Sequence, residues 1–161
     1  MKENMIAPCG MNCSLCISHQ IKKYDLNKKG FKRKTCDGCI TRGENCLHMG
    51  DRCQLLKSGK VRFCFECPEY PCKSLKNLDK RYRLKYHMSM IENLESIRKS
   101  GIEAFLKNET EKWACPKCGK MICCHNGLCL SCDVEILKKN RKYRWNEELT
   151  SKNETAKLDN E

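Results

Sequence analysis

Cys9-Gly-Met-Asn-Cys13-Ser-Leu-Cys16, Cys36-Asp-Gly-Cys39, Cys46-x6-Cys53 and Cys64-Phe-Glu-Cys67-Pro-Glu-Tyr-Pro-Cys72 place ten cysteines in sixty-four residues. A second set of six lies between Cys115 and Cys132. Two residues between thiols let one tight turn offer both sulfurs to a single ion. The chain has five such Cys-x2-Cys pairs, at 13/16, 36/39, 64/67, 115/118 and 129/132. This pattern suits tetrahedral metal sites better than a disulfide framework.

Composition points the same way. The chain has 161 residues, and its 40% apolar fraction includes sixteen cysteines. Setting these aside leaves about 30% ordinary apolar residues, a marginal core for this length. Metal sites are expected to supply part of the stability. The N-terminus has no apolar run of signal-peptide length, and no stretch approaches a membrane span. A cytoplasmic protein with reduced thiols is expected, with no membrane association. The formal charge is +12 with every cysteine counted as neutral. Three dications, each held by four thiolates, would lower it to about +6. That is still basic, and no longer diagnostic of nucleic-acid binding.

Cys115-Pro-Lys-Cys118-Gly119, then Cys129-Leu-Ser-Cys132, is a zinc-ribbon pattern. Ten intervening residues suffice for a short hairpin, and four thiolates close the shell around a structural ion. Cys123, Cys124 and His125 lie inside that hairpin and read as spectators of the site. In the N-terminal set, pairing Cys13/Cys16 with Cys36/Cys39 gives a two-knuckle site. Cys53, Cys64, Cys67 and Cys72 then form a second, leaving Cys9 and Cys46. Cys9 can displace a member of the first set, and His19 and His48 are available as ligands without being required. Zinc is the expected ion; an iron–sulfur cluster is the alternative at the N-terminal sites, since four thiolates serve either.

Between the cysteine-rich parts, a short helix is expected near 17–28, with its lysines as a solvated face. A helical piece is expected at Gln54–Lys57, and Val61-Arg62-Phe63 is the one strand-like run. Lys73 to Trp113 reads as helical. Leu84, Met88, Ile91, Leu94 and Ile97 fall near one stripe, and Ser100-Gly101-Ile102-Glu103 has the form of a capping box between two helices. Ile102, Phe105 and Leu106 face inward on the second helix. His87 is expected at the surface. The basic run Lys138, Lys139, Arg141, Lys142 and Arg144 leads to a polar end expected to be disordered.

Catalytic signatures are missing. There is no His-Glu-x-x-His helix, no Gly-rich phosphate loop and no βαβ context for a redox Cys-x2-Cys. Cys9-x3-Cys13-x2-Cys16 matches the cluster-binding triplet of radical S-adenosylmethionine enzymes, but 161 residues without βα repeats cannot build their barrel. The reading leans away from an enzyme.

Several stretches together resemble an uncharacterised prokaryotic cysteine-rich family, domain of unknown function 3795. Ala7-Pro-Cys-Gly-Met-Asn-Cys-Ser-Leu-Cys16, Cys36-Asp-Gly-Cys39 and Cys64-Phe-Glu-Cys-Pro-Glu-Tyr-Pro-Cys72 look like its signatures. Ile91-Glu-Asn-Leu94, Ile97 and Gly101-Ile102 are similar to the helical part that joins it to a ribbon in longer members. The resemblance implies metal binding, with zinc the expected ion, and no known activity. It also implies an extra cysteine in the Cys46–Cys53 interval of some members, where this chain has His48 and Met49.

The resulting expectation is a small metal-stabilised α+β protein. It has a cysteine-rich metal-binding domain at 5–76, a helical segment at 77–113, a zinc ribbon at 114–134 and a basic tail at 135–161. The function expected is that of a cytosolic zinc protein serving as a structural or interaction module with a protein partner. Nucleic-acid binding through the ribbon and basic tail, or iron–sulfur redox chemistry, are the alternatives.

Overall fold

The structure, a computed structural model, describes residues 1–42, 53–141 and 145. Cys46, His48, Met49 and most of the tail, including Lys142 and Arg144, lie outside the described residues. Among the described residues six α-helices carry the fold: α1 Ile17–Lys23, α2 Cys39–Arg42, α3 Gln54–Lys57, α4 Lys73–Tyr86, α5 Met90–Lys112 and α6 Val134–Lys139. Short 3-10 turns cover Glu3–Met5, Cys13–Leu15, Leu26–Lys29 and Cys64–Glu66.

The β component of the expected α+β class is reduced to two isolated antiparallel bridges among the described residues, Ile6 with Asn12 and Ala114 with Met121. Val61-Arg62-Phe63 is not a strand: the segment bends before the turn that starts at Cys64. These segments are too short, and too often interrupted by turns that present sulfur, for a ladder to propagate.

The helix expected near 17–28 stops at Lys23. Asp25 takes a left-handed φ of 51° and restarts the chain as a 3-10 turn, closed by Gly30 at φ 88°. Farther on, the helical stretch breaks at a place the apolar stripe does not mark. His87 adopts φ 51° and ends α4, and Ser89 caps α5, its side chain accepting from the Glu92 amide at 3.1 Å. Asp79 of α4 holds this corner, accepting from Ser89 Oγ at 2.6 Å and the Ile91 amide at 3.1 Å.

The break shifts the helical phase, so Leu84 is 67% exposed while Leu75, Leu78, Asp79 and Tyr82 form the buried face of α4. On α5, Met90, Leu94 and Ile97 face inward, and Gly101 (φ 81°, ψ 165°) kinks the helix where the sequence places a turn. The N-terminal loop rests directly on α5. A Cβ at Gly10 would lie 2.4 Å from the Met90 carbonyl oxygen, so glycine is required there, and Asn93 Nδ2 donates to the Gly10 carbonyl at 2.9 Å.

Two apolar cores result among the described residues. The larger joins Ile6, Cys9, Leu15 and Phe63 to Leu75, Tyr82, Met88, Met90, Leu94, Phe105 and Trp113. The smaller joins Ile17, Ile21, Leu26 and Phe31 to Cys123, Leu128, Leu130, Val134 and Leu137. Residues near the two ends of the chain thus share one core. No helix among the described residues is long and apolar enough to cross a membrane.

Candidate metal centre

Trp113 caps α5, and the chain then turns through the first knuckle. The Cys115 amide donates to the Lys120 carbonyl at 2.7 Å, and the Gly119 amide to the Cys115 carbonyl at 2.8 Å. Gly119 sits at φ 70°, a conformation that side chains rarely adopt. The second knuckle is tied by the Cys132 and Asp133 amides, which both donate to the Cys129 carbonyl, at 3.0 and 2.8 Å. Asp133 Oδ2 accepts from the Cys129 amide at 3.0 Å, and its Oδ1 accepts from Lys117 Nζ at 3.1 Å, linking the knuckles.

These turns bring the sulfurs of Cys115, Cys118, Cys129 and Cys132 within 4.8 Å of one another. Sulfurs at about 2.3 Å from one zinc ion stand roughly 3.8 Å apart. Small side-chain rotations close the difference, and Cys118 and Cys129 already lie at 3.6 Å. Two soft acceptors are buried and two are exposed. The donor set fits a tetrahedral ion with no open position, and a dication there would fasten the loop without adding reactivity.

Electrostatics separates Cys118 from Cys129 and Cys132. The Lys120 amide facing Cys118, helped by Cys132, draws the Cys118 thiol down to about 7. Cys132, sharing a hydrogen bond with Cys118, is pushed up to about 12. Burial raises Cys129.

Cys123 and Cys124 stay outside this group. Both are wholly buried, in different cores, and burial pushes the Cys123 thiol up to about 12. The Cys124 amide donates to the Leu15 carbonyl at 3.0 Å, so this part of the loop is fastened to the N-terminal turn. His125 is also drawn inward, with Nδ1 3.3 Å from Cys124 Sγ and Nε2 3.5 Å from the Tyr82 hydroxyl. A pair of adjacent cysteines reads equally as ligands or as small apolar residues, and the sequence carries no sign of this burial.

The N-terminal thiols are arranged differently. Cys13, Cys16, Cys36 and Cys39 line one cavity of about 260 Å³, together with His19, Arg33, Arg42, Arg81, Tyr82, Tyr86 and His125. Backbone amides face the sulfurs, Cys39 N–H donating to Cys13 Sγ at 3.3 Å and Gly38 N–H to Cys36 Sγ at 3.4 Å. Burial raises the Cys16 thiol against the pull of the Ser18 and His19 amides. His19 directs Nδ1 to the Cys36 carbonyl at 3.3 Å.

Cys53, Cys64, Cys67 and Cys72 line a second space of about 20 Å³ beside Leu56, Tyr70 and Leu75. Burial pushes Cys64 up to about 12, with Cys9, Cys53, Cys72 and Cys67 adding to it. Cys9 is therefore within electrostatic reach of the second group. Among the described residues, the Cys115 group is the one whose ligand atoms converge within 4.8 Å.

No curated protein and no solved structure matches the chain. Residues 5–77, which carry every N-terminal cysteine from Cys9 to Cys72, match the family model described as Protein of unknown function (DUF3795).

Proposed function

We propose that the protein is a zinc-binding protein whose metals are structural, and that the metal-fastened fold serves in the cytosol as an interaction module for a protein partner. The observation that carries this reading is the convergence of Cys115, Cys118, Cys129 and Cys132 within 4.8 Å. A closed four-thiolate shell leaves no position for substrate. The loop it would fasten sends Leu128 and Leu130 into a core shared with α1, so the ion acts on the assembly of the whole fold. The space of about 20 Å³ among Cys53, Cys64, Cys67 and Cys72 is close to the volume of one small bound species and favours a second single ion.

The test is metal content in a paired variant. Cys115→Ser together with Cys118→Ser is expected to lose one zinc per chain relative to the wild-type protein. Unchanged metal content would remove the Cys115 group from the reading.

A specific contact favours nucleic-acid binding as a second reading. Arg141, just beyond α6, lies over the Phe31 ring at 5.8 Å, which brings this arginine beside the lysine-rich stretch after α1. A polyanion crossing both would bind with an affinity that falls steeply with salt. Titration of single-stranded and duplex DNA at two salt concentrations tests it. Salt-independent or undetectable binding would discard it.

A further inference from the structure

Tyr24 ends α1, its amide donating to the Gln20 carbonyl at 3.0 Å. Its side chain packs on the core that α1 shares with Leu128 and Leu130. The hydroxyl is buried and has no hydrogen-bond partner among the described residues. A buried hydroxyl left unpaired is costly, so the position is unfavourable unless something beside it accepts.

What lies beside it is the Cys115 group. Lys120, two residues after Cys118, sets its ammonium over the Tyr24 ring at 5.5 Å. The same ammonium donates to Ser131 Oγ at 2.8 Å, and Ser131 stands between Cys129 and Cys132 in the chain. One cation thus joins the tyrosine to both knuckles. Burial raises the Tyr24 hydroxyl, and the Cys129, Cys118 and Cys132 thiols push it the same way. It stays a donor, within reach of sulfurs that become thiolates when a metal binds. Burial selects one of them. Cys118 and Cys132 are exposed and take hydrogen bonds from water, whereas Cys129 is 1% exposed. Cys115 is buried as well, but the charges acting on Tyr24 come from the other three.

We infer that the Tyr24 hydroxyl donates to the Cys129 thiolate in the metal-loaded protein, a positioning residue supplied to the C-terminal site by the N-terminal part of the chain. The inference rests on the zinc reading above. Donors behind a metal's ligands fix their orientation and stabilise their charge, and losing one typically weakens metal binding about 10–100-fold.

Tyr24→Phe keeps the ring and its contact with Lys120 and removes the hydroxyl alone. A hydroxyl that is unpaired in the loaded protein as well is lost with a neutral or stabilising effect. The inference predicts the opposite sign. Zinc affinity of the Cys115 group, measured by chelator competition on the full-length protein, is expected to fall about tenfold. In cobalt-loaded protein the thiolate-to-metal charge-transfer band is expected to move to longer wavelength, because the sulfur loses a donor that stabilised its charge. With Cys115→Ser and Cys118→Ser also in place, both effects are expected to vanish. Unchanged or tighter zinc binding in Tyr24→Phe overturns the inference and leaves the zinc reading standing. Equal weakening in the serine background traces the effect to another site and overturns it as well. Equal metal content in the wild-type protein and the paired serine variant overturns the zinc reading, and the inference with it.

Discussion

The thiol-rich parts of the chain differ in how their sulfurs are brought together. At Cys115–Cys132 two knuckles lie in one short loop, and local amide bonds, with Asp133 across the gap, set four sulfurs within 4.8 Å. In the N-terminal part the knuckles are separated by α1 and the lysine-rich turn after it. Their sulfurs line the walls of two spaces, about 260 and 20 Å³, whose shapes depend on α4 and even on His125 from the far end of the chain. The difference teaches that short-range spacing brings sulfurs together directly, whereas long-range spacing does so only through packing.

The largest effect is expected from stripping metal with a chelator. If the Cys115 loop is held by its ion, its release exposes Trp113, and Trp145, whose Nε1 donates to the Cys124 carbonyl at 2.7 Å. Tryptophan fluorescence is expected to shift to the red. Because Leu128, Leu130 and Leu137 share a core with Ile17, Ile21 and Leu26, amide protection in α1 is expected to fall as well. Retained protection in α1 would mean that the two regions are energetically separate.

Leu130→Ala probes the same coupling from within the core. Leu130 is wholly buried, and its truncation is expected to cost about 2–5 kcal/mol in urea unfolding. Leu84→Ala, at an exposed position on α4, is expected to cost under about 0.5 kcal/mol. Similar values for the two would contradict the packing described.

His125 connects the two regions through pH. Burial, with Arg33 and Arg81 acting in the same direction, holds its imidazole down to about 4. The folded value lies below the unfolded value of about 6.5, so the neutral ring supports the fold above that pH. Stability is lost as pH falls from about 6.5 towards about 4. His125→Gln is expected to remove on the order of 3 kcal/mol of that dependence. The comparison is made by denaturant unfolding of both metal-loaded proteins. An unchanged slope would place His125 in solvent.

A smaller effect than that of the core truncation is expected at the α4–α5 corner. Asp79→Ala leaves the Ser89 hydroxyl and the Ile91 amide without their acceptor and is expected to cost about 1–3 kcal/mol, with metal content unchanged. Metal loss in this variant would show that the corner also positions the thiols.

The C-terminal site and α3 are legible in the sequence because each depends on neighbours a few residues away. The break at His87 is not, since Leu84, Met88 and Ile91 continue a helical stripe across it. What ends α4 is a left-handed His87, stabilised by Asp79 accepting from a serine and an amide on the next helix. Gly101 is legible as a turn because glycine alone tolerates that backbone cheaply. Cys123 and Cys124 read as spectators of the Cys115 group, and they do stand outside it, but what they do instead is not legible. In a cysteine-rich chain, nothing marks these two as core residues, and their burial follows from where the loop lands on Leu15 and α1.

Elemental analysis with an absorption spectrum, on protein purified without air, tests the central claim most directly. Zinc bound at the Cys115 group and at the N-terminal thiols, with no visible absorbance, is the predicted result. Iron with acid-labile sulfide and a brown colour would contradict it, and would make the cavity lined by Cys13, Cys16, Cys36 and Cys39 the centre of a redox protein.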